Sequence, residues 1–304
     1  MDKHWTNYCK MSIVHFMAFP ETAGGQGPVA QSIARIAEDD FFDAIEIASI
    51  NDAATRAEVR RILETSRLQA SFCAHPVILS QKLNLNSLDE EERRKAIQRM
   101  FELMDQAAEL GTRSFSFLSG KDPGDAGRNA AIEMLIDSIK QLCAYGKKNH
   151  LELVLETFDR QVDKKALIGP IQDAFTVAKT VREDFPGFGL LYDLSHMPLL
   201  DETPADMSTI REYITHIHVG NCVRVAGRPL YGDLHPYFGY PGSVTGPREL
   251  AEFIRALFDI GYLKSSNDPK PWVGFEVKPQ APDQTSEWII ANAKRTWRQA
   301  WQMV

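Results

Sequence analysis

The chain has 304 residues, of which 44% are hydrophobic and 25% are charged, as in an ordinary soluble globular protein. The formal net charge is −7 and no dense block of Lys and Arg occurs, which argues against a nucleic-acid backbone as the main partner. The four scattered cysteines form no C-x-x-C pair and indicate reduced thiols. Neither a signal-peptide core nor an apolar run of about 20 residues is present, so we expect a cytoplasmic protein without a membrane partner.

Short apolar runs alternate with helical patterns along the whole sequence. Because buried parallel strands are continuous apolar runs, we predict strands at 11–19, 43–49, 68–76, 113–120, 151–158, 188–193, 215–220 and 272–279. Helices are predicted between them, including 204–214, and the longest loop is 221–246. Eight alternations without a break in composition predict a single (β/α)8 TIM barrel, one domain over residues 1–304. A doubly wound open sheet is the alternative, but the Gly-rich phosphate fingerprint after the first strand is missing.

Four of the predicted strands end in ionisable residues. These residues are Glu156, Asp193, His218 and Glu276, which lie at or near the ends of strands five, six, seven and eight. In a barrel the carboxyl ends of the strands meet at one face, where the chemistry of such folds collects. An unpaired buried carboxylate costs several kcal/mol, and a shared divalent cation would offset that cost at all four positions. The pattern therefore predicts a metal site.

Strand alternation refines the choice of ligands. His216 and His218 are two residues apart and point to the same side of their strand, as do Glu152 and Glu156. Only groups near the carboxyl end should reach the active-site mouth, which favours Glu156 over Glu152 and His218 over His216. For His216 we predict a position in the core or directly behind the metal ligands.

Three carboxylates and one imidazole form an oxygen-rich ligand set. Such a set suits Mn²⁺, our preferred ion, or Mg²⁺ or Co²⁺, better than a metal that prefers thiolates. Zinc stays an alternative because it accepts both His and carboxylate ligands. Candidates for lining the substrate pocket are Glu46 and His75, at the ends of strands two and three, and His235 in the long loop. For Glu46 and His75 a buried hydrogen-bonded pair is an equal alternative.

Two motifs carry a resemblance to a known family. Asp193-Leu-Ser-His196-Met resembles D-x-x-H-M, and His218-Val-Gly-Asn-Cys-Val-Arg224 resembles H-[IV]-G-x-x-x-R. Both are motifs of the ketose 3-epimerase branch of the xylose-isomerase-like barrel superfamily, which the chain resembles over the whole barrel. The resemblance implies that Asp193 and His218 bind metal, that His196 contacts substrate and that Arg224 holds substrate oxygens.

The same resemblance implies a reaction. Glu156 and Glu276 fall where the family keeps its two metal-binding catalytic glutamates. One would remove a carbon-bound proton from a ketose or keto-polyol, and the other would return a proton to the enediolate that forms. The partner implied is a small sugar, with an unphosphorylated one favoured because no basic cluster is apparent. Asn221, where the epimerases commonly have an acidic residue, and the long loop 227–243 depart from the family pattern and leave the substrate open.

Several alternatives remain open at this stage. A metal-dependent lyase or dehydratase acting on 3-oxo-sugars or inososes, including a C-glycoside deglycosidase-like subunit, would use the same ligands and the same first proton transfer. An endonuclease-IV-like DNA repair enzyme would need further His and acidic ligands and a basic face. A non-catalytic sugar-binding barrel is disfavoured by the complete ligand set. The sequence leaves homo-oligomerisation open.

Overall fold

A computed structural model describes residues 4–304 of the chain. Eight parallel strands pair in the order 1-8-7-6-5-4-3-2, and an isolated bridge between Val14 and Glu46 links the two ends of the sheet. The barrel is therefore nearly closed, which confirms the predicted (β/α)8 TIM barrel. The strands are β1 (Lys10–Ile13), β2 (Ala44–Ile47), β3 (Gln69–Cys73), β4 (Ser114–Leu118), β5 (Glu152–Glu156), β6 (Gly189–Asp193), β7 (Ile214–Val219) and β8 (Trp272–Phe275).

Helices surround the barrel and cover the outer faces of the strands. They are α1 (His15–Ala18), α2 (Val29–Ala37), α3 (Ala53–Ser66), α4 (His75–Gln81), α5 (Glu90–Glu109), α6 (Arg128–Lys148), α7 (Ile171–Arg182), α8 (Pro247–Asp259) and α9 (Ser286–Gln302). The last helix shows how the core forms. Buried residues recur along it at helical spacing, and Trp297 packs against Phe275 of β8 with ring centroids 6.2 Å apart.

Several predicted elements differ from the observed ones, and the eighth strand ends at Phe275 instead of at 279. The first strand ends at Ile13 and the third at Cys73, and each run continues into a short helix, α1 or α4. A buried helical turn is as apolar as a buried strand, so the run of apolar residues did not show where the strand stops. The predicted helix at 204–214 is a 3₁₀ helix over Pro204–Thr209, followed by β7 from Ile214. Within residues 4–304 no helix is both long and apolar enough to span a membrane.

Candidate metal centre

Strand register brings the ends of β5 to β8 together at the carboxyl face. Asp193, the last residue of β6, lies directly opposite His218 of β7 in the parallel pairing. Glu156 is the last residue of β5, and Glu276 follows β8, where its backbone N–H continues the ladder to the carbonyl of Val219 (3.1 Å). The four side chains that the sequence singled out as ligands therefore project into one space.

The ligand atoms of these four residues converge. One atom from each of Glu156, Asp193, His218 and Glu276 can be chosen so that all four lie within 4.8 Å of one another, and all four residues are buried. His218 Nδ1 is 3.0 Å from Glu276 Oε2 and 3.4 Å from Glu156 Oε1. The second oxygen of Glu156 faces a different ring, His75 Nε2, at 3.0 Å, and the second oxygen of Glu276 faces His235 Nε2 at 3.6 Å.

The electrostatics of the four-residue group fit a divalent cation. Glu156 Oε1 and Asp193 Oδ2 are buried and have no hydrogen-bond partner, a rare condition that a coordinated ion would remove. Burial raises the pKa of Asp193 to about 6. Burial would also raise the pKa of Glu156 and Glu276, but nearby histidines, mainly His218 and His235 respectively, hold both below the usual value. A set of three carboxylates and one imidazole suits Mn²⁺, Mg²⁺, Co²⁺ or Zn²⁺.

A second convergent group adjoins the first. Asp193, His196 and His235 also offer ligand atoms within 4.8 Å of one another. Asp233 joins them, with Oδ1 3.2 Å from His196 Nε2 and 2.8 Å from His235 Nε2, although neither contact has hydrogen-bond geometry. His196 Nδ1 donates to the carbonyl of Thr157 (2.7 Å), which turns Nε2 toward Asp233. Metal-binding histidines commonly use one nitrogen in this way to orient the other.

Opposite charges stabilise one another in this second group. Burial would lower the pKa of both histidines, but Asp233 is the main group that holds the pKa of His196 well above its usual value and raises that of His235 to about 9. The two rings in turn overcome the effect of burial on Asp233 and hold its pKa well below the usual range. Lys164 Nζ lies 3.1 Å from Asp233 Oδ2 and adds a further positive charge.

Comparison with known proteins places this fold in a family. A family model described as the xylose isomerase-like TIM barrel matches residues 33–296. The chain belongs to the xylose isomerase-like TIM barrel family. Comparison with curated proteins finds no match.

Solved structures of similar fold have several different functions. A D-psicose 3-epimerase from Clostridium cellulolyticum H10, solved with D-tagatose, is 20% identical, with 96% of this chain and 95% of that chain covered and a TM-score of 0.65. The IOLI protein, solved with a zinc atom, is 16% identical, with coverage of 96% and 97% and a TM-score of 0.72. A family 2 AP endonuclease from Brucella melitensis is 18% identical, with coverage of 94% and 98% and a TM-score of 0.65. At these identities the likeness establishes the fold alone.

The other residues predicted for the site of this xylose isomerase-like barrel lie in different places. His75 begins α4 and faces Glu156, and His196 and His235 belong to the second group. Glu46 lies behind His218, on the side away from Glu156 and Glu276, and contacts His218 Nε2 at 2.8 Å. The structure does not bring Arg224 into contact with the ligand group: its guanidinium donates to Asp201 (2.6 Å) and half of its side chain is exposed.

Sequence reasoning missed Asp233. It precedes His235 by two residues in the long loop, and the Asp-x-His spacing was the only signal that could have identified it. His235 itself has a left-handed backbone with φ of 51°, which is uncommon for a residue with a side chain and recurs at functional sites. Such a conformation cannot be anticipated from composition.

Asn221 has a structural function in the loop that follows β7. Its side-chain amide donates to the carbonyl of Tyr237 (2.9 Å) and to Ser243 Oγ (2.8 Å), while its Oδ1 accepts from the backbone N–H of Thr245 (2.8 Å). Both arms of the loop are thus tied to one buried side chain. This arrangement explains why an amide stands here, since a carboxylate could accept from the N–H of Thr245 but could not donate to the carbonyl of Tyr237.

Proposed function

We propose that this barrel is a divalent-metal-dependent sugar isomerase or 3-epimerase that acts on a ketose or keto-polyol. The observation that carries the proposal is the arrangement of Glu156 and Glu276. Each carboxylate has one oxygen directed to His218 Nδ1 and its other oxygen beside a separate histidine. Two buried carboxylates, one at the end of β5 and one directly after β8, can therefore serve as base and acid on the same carbon skeleton.

Glu156, Asp193, His218 and Glu276 would hold the cation. When bound there, a divalent metal would supply Lewis-acid polarisation of the hydroxy-ketone oxygens, with Mn²⁺ our first choice and Zn²⁺ an alternative. One glutamate removes the carbon-bound proton to give an enediolate, and the other returns a proton to the opposite face or to the neighbouring carbon. The outcome is epimerisation in the first case and isomerisation in the second.

Cationic groups beside the glutamates would orient the sugar. The pKa of His196 and of His235 is raised, mainly through Asp233, so both rings carry N–H donors at neutral pH. Such donors stabilise an oxyanion and position hydroxyl groups. Arg224 stays a predicted substrate contact, although in this structure its guanidinium pairs with Asp201.

Exchange of the carbon-bound proton with solvent tests the proposal directly. Metal-loaded protein is incubated with free ketoses in D₂O, and deuterium incorporation is followed by NMR. We expect exchange in the wild type and its loss by at least about 100-fold in Glu156→Gln, because general acid–base catalysis contributes about that much. Glu152→Gln is the matched control, since Glu152 lies on the same strand but is exposed at its start. Absence of exchange in metal-loaded wild type would refute the proposal.

A lyase or dehydratase would begin with the same proton transfer. The loop 221–246, which brings Asp233 and His235 to the site, gives this barrel groups that could act on a leaving group. Incubation with 3-oxo-glucosides beside free ketoses, followed by product analysis, separates the two reactions. Release of an aglycone or of water would assign elimination, whereas recovery of an epimer or an aldose would assign isomerase chemistry.

The second ligand group favours one further candidate, a phosphodiester hydrolase with more than one metal ion. Asp193, His196, Asp233 and His235 could hold a second cation beside the first. The net charge of −7 counts against a DNA substrate. Metal-to-protein ratios of the wild type and of Asp233→Asn, with cleavage of abasic-site DNA as the activity, test this candidate. The candidate would be supported if the wild type binds two metal ions per chain and cleaves the DNA, and Asp233→Asn binds only one ion.

A further inference from the structure

A buried carboxylate behind the metal ligands connects two histidines of one strand. Glu46 of β2 is fully buried, and its Oε2 accepts from His218 Nε2 (2.8 Å). Its other oxygen, Oε1, accepts from His216 Nε2 (3.0 Å) and from Ser12 Oγ (2.8 Å). Three N–H and O–H donors from β1 and β7 thus satisfy one carboxylate from β2, and the thiol of Cys73 on β3 lies 3.9 Å from Oε2.

These hydrogen bonds determine which nitrogen of His218 can bind a metal. A neutral imidazole carries one N–H and one lone pair. When His218 gives up a proton to bind a metal, the ionised Glu46 can only accept, so the remaining hydrogen stays on Nε2 and the lone pair lies on Nδ1. Nδ1 is the atom that faces Glu156 Oε1 and Glu276 Oε2. The carboxylate also restricts rotation of the ring.

A glycine in β8, the strand between β1 and β7, leaves room for the side chain of Glu46. Gly274 of β8 pairs with Ser12 on one side and with His218 on the other. A Cβ at position 274 would lie 2.4 Å from Glu46 Oε1, 2.8 Å from Ser12 Oγ and 3.0 Å from His218 Cδ2. The missing side chain is therefore a requirement of this hydrogen-bond network, and no other residue type fits there without moving the carboxylate.

We propose that Glu46 is a positioning residue of the metal centre, which fixes the tautomer and orientation of His218. His216 and Ser12 in turn fix Glu46. This inference rests on the metal site of the proposed function and does not depend on the sugar or on the reaction. It replaces the expectation that Glu46 contacts substrate with a function exerted through His218.

Replacement of Glu46 by Gln gives a defined structural conflict. If the new amide oxygen accepts from the two donors His216 and Ser12, the NH₂ group must face His218 Nε2. Two hydrogen-bond donors then face each other. His218 relieves the conflict by moving its hydrogen to Nδ1, which can then no longer bind metal. Loss of such an outer partner typically costs 10–100-fold in metal affinity.

The test measures metal binding without any sugar. Dissociation constants for Mn²⁺ and Co²⁺ are obtained by chelator competition for the wild type, Glu46→Gln and Gly274→Ala, with Gly187→Ala and Glu152→Gln as controls. Gly187 has no atom within 4 Å of an added Cβ. The absorption spectrum of bound Co²⁺ reports ligand geometry, and ¹⁵N NMR of labelled histidine reports the tautomer of His218. A change that only loosened the fold would leave this tautomer unchanged.

We expect Glu46→Gln and Gly274→Ala to bind both metals about 10–100-fold more weakly than the wild type, with an altered Co²⁺ spectrum. In the Zn²⁺-loaded wild type the His218 hydrogen should lie on Nε2, and in Glu46→Gln under the same conditions it should lie on Nδ1. Wild-type affinity with an unchanged tautomer in Glu46→Gln would overturn the inference, as would failure of the wild type to bind either metal. If metal binding changes as expected but the wild type shows no proton exchange with ketoses, only the proposed function is refuted and the inference about Glu46 stands.

Discussion

Mild acid should destabilise this protein through a buried histidine that follows the first strand. His15 is almost completely buried, and burial lowers its pKa to about 3. Ser32 Oγ gives its hydrogen to the carbonyl of Pro28 (2.8 Å), so His15 Nε2–H donates to Ser32 Oγ (2.8 Å). This arrangement suits a neutral ring, and a charged ring would lie in a space shielded from water.

The sign and the size of the effect follow from proton linkage. In the unfolded chain a histidine titrates near its ordinary pKa of about 6.5. Below that pH the unfolded chain gains a proton that the folded protein does not accept until the pH approaches about 3. Each pH unit in this window lowers the free energy of unfolding by about 1.4 kcal/mol, or about 2 kcal/mol between pH 6.5 and pH 5. Above this window His15 adds no pH dependence.

Urea unfolding at about pH 7.5 and about pH 5 measures the effect. His15→Gln keeps a nitrogen donor near Ser32 and removes the titrating ring, while His150→Gln replaces an exposed histidine as the control. When the pH is lowered from about 7.5 to about 5, the free energy of unfolding should fall by about 2 kcal/mol less in His15→Gln than in the wild type. The control should show the same fall as the wild type. Equal losses in His15→Gln and the wild type would refute the reasoning.

Two further predictions concern the metal centre. At a metal concentration about 100 times the dissociation constant the native state gains about 2.7 kcal/mol, so a chelator should lower the melting temperature by several degrees. Asp193→Asn should abolish this difference and the exposed Asp201→Asn should keep it; a chelator effect that persists in Asp193→Asn would contradict the ligand assignment. A Cβ at Gly220 would lie 2.7 Å from His235 Nδ1, so Gly220→Ala should destabilise the fold by about 1–3 kcal/mol and slow ketose exchange. Calorimetry and exchange rates equal to the wild type would contradict this second prediction.

The sequence predicted the barrel and the ends of some strands, such as β6 at Asp193, because both depend on local patterns. A continuous apolar run that ends in a carboxylate, such as the run before Glu156, identifies a buried strand and its functional end together. The limits of β1 and β3 were missed because the apolar residues before His15 and His75 continue into the first turns of α1 and α4, which are apolar and at least partly buried. Hydrophobicity records burial and does not distinguish these two backbone conformations.

Residues whose position depends on the closed barrel could not be placed from the sequence. Glu46 is a strand residue like Glu156, yet it meets His218 from behind because β2 closes the seam beside β1. Asp233 lies in a loop far along the chain from His196, yet its Oδ1 is 3.2 Å from His196 Nε2. Both positions follow from contacts between residues far apart in the chain, which spacing along the sequence does not encode.

The charge balance of the centre bears on the number of metal ions. Asp193 belongs to both ligand groups, so an ion held with Glu156 engages the carboxylate that a second ion would also need. In the protein without metal, Asp233 overcomes the effect of burial and raises the pKa of both His196 and His235, so both rings hold their protons at neutral pH. A second ion bound by these two rings would have to displace their protons. Because the pKa of each ring is raised, this displacement costs free energy and opposes binding of the second ion at neutral pH. This cost of a second ion supports our proposal of a single metal ion and of ketose chemistry over phosphodiester hydrolysis.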